Sequence, residues 1–492
     1  MTGSAPLRRV LVAGGGITAW CAAAALKRRA PFLEVTLLAV APSPDALADR
    51  IACTLPSLLG FHGDLGIGAE DGIVRTGAGY RLGTLFSGWA TGLPDYVHAY
   101  GGYGRAFGAT AFHLHWLRAL RDGQSDAFDR YSPAAMLARA GRFMPATPET
   151  PFANHEYGLT LDMRRHATML RAFALHVGVR EMCGDIARVD VDSRGIVERV
   201  SCTDGTALTA DLYIDATGPE ARLRGAIDAA RDAWSAWLPC DRVLLAESVM
   251  PVEPTVLTTV TAHTAGWRWT SGVQSGLTYA ASHLSDAKAE RILRNASGAT
   301  PEAPIRVRPG TRRTPWRGNC VAIGDAATEV EPLEWCNLHL ALSAIDRLVA
   351  MLPGAAPTPV ETADYNRQAL AEAERVRDFL AAHYRTAKRD DPLWRAVAAS
   401  DPPTSLAHTL AQFAERGRLP FYEEETFARD SWAAVLLGQG FLPRRIDPLV
   451  AAVPAAAAQA AMARHHAEIA AAVPRAPTHA AFRAAQTRQI CT

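Results

Sequence analysis

A glycine-rich turn, set between a short apolar strand and a helix, constrains this chain more than any other feature. Arg9-Val10-Leu11-Val12-Ala13 reads as a buried strand, and Gly14-Gly15-Gly16-Ile17-Thr18-Ala19 follows it and opens a helix near Ile17. The spacing is G-x-G-x-x-A. Gly14 permits a sharp turn, Gly16 lets the backbone approach a pyrophosphate, and Ala19 is small enough for the helix to sit against the strand. The helix N-terminus offers free N–H groups and a partial positive charge to phosphates. Gly14, Gly16, Thr18 and Ala19 are therefore candidate cofactor-binding positions. A second strand over residues 33–40 completes a βαβ-type start. It ends Leu37-Leu38-Ala39-Val40, without the acid that would bond a ribose hydroxyl.

Two later segments point to a flavin rather than to NAD. Asp211-Leu212-Tyr213-Ile214-Asp215-Ala216-Thr217-Gly218 is a strand ending in a small-residue turn, and Cys320-Val321-Ala322-Ile323-Gly324-Asp325-Ala326-Ala327 is a strand delivering Gly-Asp to a helix start. A carboxylate at Asp325 can accept hydrogen bonds from ribityl hydroxyls, or cap the helix, or both. Gly218, Gly324 and Asp325 join the cofactor set, and FAD is the expected cofactor. No metal site is expected.

The remaining pattern predicts a mixed α/β chain. Residues 42–49 form a polar loop. Residues 160–177 form a helix, and alternating stretches at 187–192, 197–203 and 208–214 suggest a meander running into a buried strand. Residues 242–283 alternate as strands of an open sheet do. Residues 338–352, nearly all of 361–435, and the alanine-rich 454–472 read as helical. The predicted fold is a Rossmann-type FAD-binding α/β domain over 1–350, interleaved with a substrate-side β-sheet region at about 80–160 and 235–300. A mostly helical part over 351–492 would cap the pocket.

Composition narrows function by exclusion. With 51 basic and 50 acidic residues the chain has no field to attract nucleic acid or an anionic membrane. The eight cysteines include no CxxC pair, which favours buried free thiols in a reducing cytosol over zinc or disulfides. The N-terminus lacks the features of a signal peptide, and no apolar run is long enough to span a bilayer. A cytoplasmic location is expected. Lysine occurs only at Lys27, Lys288 and Lys388.

Several segments together resemble the flavin-dependent tryptophan halogenases. Residues 14–20 (GGGITAW) are similar to the family's GGGTAGW turn, and Thr54-Leu55-Pro56 to the end of its GEATIP loop. Residues 80–89 (YRLGTLFSGW) resemble the stretch carrying its catalytic lysine, and His98-Ala99-Tyr100-Gly101 a substrate-pocket motif. Gly266-Trp267-Arg268-Trp269 is similar to its Trp-x-Trp signature. Residues 312–334, ending Glu331-Pro332-Leu333-Glu334, are the closest stretch, and residues 391–395 and 432–443 match the helical part. The resemblance implies that reduced FAD from a separate flavin reductase, with oxygen, turns halide (chloride or bromide) into hypohalous acid. A lysine and a glutamate then deliver halogen to an indole-type ring. It implies catalytic roles for Glu334 and for the residue at the lysine position, with His98 and Tyr100 lining a pocket for a small aromatic substrate or a peptide side chain.

Departures from the pattern fall at functional places. The lysine position holds Arg81, and a guanidinium stays charged and is a poor nucleophile where an amine can shed its proton. The family's Ser-Thr-Gly after the glutamate is Trp335-Cys336-Asn337, GEAT is Ile51-Ala52-Cys53-Thr54, and Ile-Pro after the second tryptophan is Ser271-Gly272. Two readings stay open. One is an oxidoreductase of halogenase or monooxygenase type with halogenation itself in question. The other is a non-catalytic homologue that binds flavin or a partner such as a paralogue or a second copy of itself.

Overall fold

The computed structural model describes residues 6–247, 254–354 and 356–491. It divides into two compact units, each assembled from three stretches of chain: Met1–Gly77, Leu161–Ser235 and Ile305–Glu374 in the first, Ala78–Thr160, Ala236–Pro304 and Arg375–Thr492 in the second.

The first unit is organised by a sheet in which β1 (Arg9–Ala13) is central. It pairs in parallel with β2 (Glu34–Ala39) on one side and with Leu212–Asp215 on the other. Leu212–Asp215 pairs in parallel with Cys320–Ala322. Val10, Leu11, Val12 and Ala13 are all buried, as a strand covered on both faces requires. Register aligns Ala13 with Asp215 and Asp215 with Ala322. The carboxyl ends of three strands therefore converge on one edge, the place where parallel α/β sheets receive ligands.

Helix α1 (Ile17–Arg29) buries Ala22, Ala23, Ala24 and Ala25 completely and packs on the helices Met163–His176 and Cys336–Ala350. Side chains this small let three helices approach closely. An antiparallel meander of Ile186–Val191, Val197–Cys202 and Ala207–Leu208 packs Ile186, Val197 and Val200 against Leu11, Leu38 and Tyr213.

The first unit also buries two stacked histidines. His62 and His166 lie 5.1 Å apart between ring centroids, and neither Nε2 has a hydrogen-bond partner among the described residues. Burial lowers His62 to about 4 and His166 to about 3 from 6.5, the second with help from His62. Both rings are thus neutral in the fold and gain protons more readily when unfolded. Their contribution to stability is whole above about pH 6.5 and is lost as pH falls toward 4, a change on the order of 3 kcal/mol for His62 alone. Denaturant melts from pH 7 to 4.5 should steepen in this window. A His62→Leu/His166→Leu protein should show a flatter profile; an unchanged slope would remove the assignment.

In the second unit the main sheet runs in the order Arg242–Glu247, Gln274–Tyr279, Gly266–Thr270, Leu257–His263, Gly83–Ser87, Tyr96–Ala99. Only Leu257–His263 with Gly83–Ser87 is parallel within that series. Residues 248–253 of the strand-rich region lie outside the described residues. Trp267 and Trp269 point to the same face, 5.2 Å apart and buried, and Trp267 Nε1 donates to the Tyr384 hydroxyl at 3.0 Å. They are core residues of this sheet.

Three expectations shift in detail. The helix expected over 160–177 begins at Met163, because the Asp162 side chain accepts from Arg165 N at 3.0 Å, while Gly158–Thr160 pairs as a strand with Gly79–Arg81. Gly324-Asp325 does not start an α-helix: Gly324–Ala326 is a single 3-10 turn before the short strand Thr328–Glu329, and the helix starts at Cys336. Asp325 therefore caps no α-helix. The C-terminal helical stretch ends at Arg416 and resumes at Arg429, Gly417 closing the first run at φ +76°, and a further helix, His479–Cys491, lies beyond the alanine-rich one. Among the described residues no helix is long and apolar enough to cross a membrane.

Candidate cofactor and active site

The expected cofactor residues gather at the carboxyl edge of the first unit's parallel sheet. Gly14 takes φ +148°, and a Cβ there would sit 2.4 Å from the Ala216 carbonyl oxygen and 2.9 Å from Ala19 Cβ, so only glycine fits. Its N–H donates to the Leu38 carbonyl at 3.1 Å. The turn to Gly218 is held by the fully buried Asp215. Its carboxylate accepts from Thr217 N (3.1 Å), Thr217 Oγ1 (2.7 Å), Leu223 N (2.8 Å) and Arg224 N (2.7 Å). Gly324 packs on Thr18, whose Cγ2 lies 3.1 Å from where a Cβ would be. Arg312, buried, donates through Nε to the Ala326 carbonyl at 3.0 Å and through Nη1 to the Asp228 carbonyl at 2.9 Å, fixing the turn that carries Asp325.

Asp325 is itself buried, which pushes its carboxyl well above the usual range. It accepts a hydrogen bond from Ala48 N at 2.9 Å. One residue further along the same loop, Asp49 places its carboxylate at the N-terminus of α1. Oδ1 accepts from Thr18 N at 2.8 Å, and Oδ2 lies 1.9 Å from where a Cβ of Gly16 would be. Desolvation raises the Asp49 carboxyl, against the pull of the backbone N–H groups of Thr18 and Ile17. Gly14 and Gly16 leave the turn bare of side chains, and the donor Thr18 N at the start of α1 is taken by a carboxylate of this chain. Sequence reasoning passed over Asp49 as part of a polar loop. The available signal was an acid soon after a second strand that lacks one at its end.

Glu334, also in the first unit, is fully buried and takes φ 58°, and Trp335 follows at φ 64°. Two consecutive non-glycine residues in the left-handed region cost about 1–3 kcal/mol each and persist only where surroundings over-determine them. Here the turn is pinned by Trp335 N to the Pro332 carbonyl at 3.1 Å and by Asn337 Nδ2 to the Val330 carbonyl at 2.8 Å. Asn337 thus has a structural task. The helix beginning at Cys336 is anchored through Arg347, which donates to Glu372 at 2.8 Å. Burial alone would raise Glu372, but His339 and Arg347 hold it down at about 2.

Arg81, His98 and Tyr100 belong to the second unit, which brings them together. Arg81 is fully buried in the strand Gly79–Arg81, with Nη1 on the Tyr100 hydroxyl and Nη2 donating to Thr84 Oγ1 at 3.4 Å. Its guanidinium also lies 5.1 Å from the Tyr100 ring centre. Thr84 is the cross-strand partner of His98, and the His98 and Tyr100 rings meet edge-on at 6.4 Å. Behind His98 stand Phe379 at 5.6 Å and Phe427 at 6.2 Å, themselves stacked at 4.0 Å. These phenylalanines come from the helix Pro359–Arg385 and the loop before Arg429, and no motif pointed to them.

A parallel sheet with helices on one face and an antiparallel meander on the other, its glycine turn followed later in the chain by a buried, strained glutamate, defines the class. A family model described as tryptophan halogenase matches residues 9–455, and the chain belongs to that family. Among solved structures it is 32% identical to BrvH, a flavin-dependent halogenase from Brevundimonas sp. BAL3, covering 98% of this chain and 99% of that one at a TM-score of 0.90. A flavin-dependent halogenase from Xanthomonas campestris is also 32% identical, covering 97% and 98% at a TM-score of 0.91. Among curated proteins, tryptophan 7-halogenase RebH of Lentzea aerocolonigenes is 29% identical, over 80% of this chain and 79% of its own length.

Proposed function

We propose that this protein is a FAD-dependent oxidoreductase of the halogenase family that takes reduced FAD from a separate reductase and acts on an indole-type aromatic ring. The observation that carries the reading is the convergence of Gly14–Ala19, Gly218 and Gly324-Asp325 on one sheet edge, followed in sequence by the over-determined Glu334 turn. Bound reduced FAD would supply, with oxygen and halide, an electrophilic halogen oxidant. The glycine turn and the α1 N-terminus would hold the phosphates, and Asp325 a ribityl hydroxyl. His98 and Tyr100 would orient a flat ring by stacking and edge contacts. Glu334 would accept the ring proton or hold the oxidant by a hydrogen bond. Arg81 would position the oxidant through its N–H groups without carrying halogen covalently.

The test is titration with oxidised and reduced FAD, followed by absorbance and fluorescence, then turnover with reductase, oxygen, bromide or chloride and an indole panel. Flavin binding and a slow, Glu334-dependent halogenated product are expected. Glu334→Gln should lower product formation about hundredfold while leaving FAD affinity unchanged. A folded protein that binds neither redox form would refute the enzyme reading and favour the partner-binding homologue.

A further inference from the structure

Gly16, Thr18, Gly218 and Asp325 of the cofactor cradle all meet the loop at residues 42–49. Ser43 Cβ and Ala46 Cβ lie 3.0 and 3.2 Å from where a Cβ of Gly218 would be. Ser43 Oγ donates to Glu220 Oε1 at 2.9 Å, just past that glycine. Ala48 N–H engages Asp325, and Asp49 engages Thr18 N and crowds Gly16. One cradle donor, Thr18 N, and one cradle acceptor, Asp325, are thus engaged by a short segment of the chain itself.

Resting on the flavin reading above, we propose that this loop is an internal competitor of the cofactor, with the Asp49 carboxylate standing where a dinucleotide phosphate binds. An anion at a helix N-terminus is stabilised by oriented N–H groups, and two anions do not share that place. A dinucleotide enters only in molecules where Asp49 has swung away, so its apparent affinity is reduced by the fraction of molecules in that open state. The raised carboxyl of Asp49 accords with this, because burial already works against its charge.

Asp49→Asn keeps an acceptor without the charge, and Asp49→Gly removes the side chain. Wild type and both variants are titrated with FAD and with riboflavin, which has no phosphate, after circular dichroism confirms the fold. Asp49→Gly is expected to bind FAD at least about tenfold tighter, the value of one charge-assisted hydrogen bond, with Asp49→Asn in between and riboflavin affinity unchanged. FAD binding equal to or weaker than wild type in both folded variants overturns the proposal. Equal tightening for riboflavin overturns the phosphate assignment, since the loop would then compete without regard to charge. If wild type and variants alike bind no FAD, the flavin reading itself falls, and this one with it.

Discussion

Arg81→Lys is expected to raise halogenated product from an indole about hundredfold over wild type, with the fold and FAD affinity unchanged. Arg81 is fully buried and its N–H groups reach the hydroxyls of Tyr100 and Thr84. A lysine amine placed there can shed its proton in a site that disfavours charge, and a neutral amine can carry halogen or relay it through a directed hydrogen bond. A guanidinium keeps its proton, so it would hold the oxidant without activating it. Lysine is shorter, so some packing over the Tyr100 ring is lost, at about 1 kcal/mol for the cation–π contact. Product is measured by mass spectrometry with reductase, oxygen and bromide. A folded, FAD-binding Arg81→Lys protein that makes no more product than wild type would show that the lysine position is not what limits this chain.

Asp215→Ala is expected to cost about 4 kcal/mol of stability and to abolish flavin binding. The Asp215 carboxylate is fully buried and gathers four donors, three of them backbone N–H groups. Each hydrogen bond to a charged group contributes about 1.5–3 kcal/mol, and each buried N–H left without a partner costs about 1–3 kcal/mol. The contributions are not additive, but the N–H groups of Leu223 and Arg224 have no water to turn to at that depth. The turn carrying Gly218 would lose its frame, and with it one wall of the cradle. Asp215→Asn keeps the shape while setting an amide donor against N–H donors, so it should fall between alanine and wild type. Denaturant unfolding followed by tryptophan fluorescence reads the loss; a change below about 1 kcal/mol would show that the surrounding strands hold the turn unaided.

Much of the fold was legible because its signals are local. The strand Arg9–Ala13, the turn and the helix Ile17–Arg29 follow from apolar runs and glycine spacing, and the structure places them within a residue of the sequence reading. The meander at Ile186–Val191 and Val197–Cys202 is likewise written in its alternation. Misplaced boundaries trace to competing local chemistry, as where Asp162 caps the helix at Met163. The turn at Gly324 was misread because strand and Gly-Asp look the same before an α-helix as before a single 3-10 turn.

What the sequence by itself determined is the strand, glycine turn and helix over Arg9–Arg29 and the family. All of these rest on residue type and short spacing. Only the tertiary structure decided that Asp49 sits on Gly16, that Asp215 gathers backbone donors from a turn eight and nine residues ahead, and that Phe379 and Phe427 stand behind His98. Those contacts join residues far apart in the chain or in loops without periodicity. Their free energy comes from where the strands and helices deliver them, which no local pattern encodes.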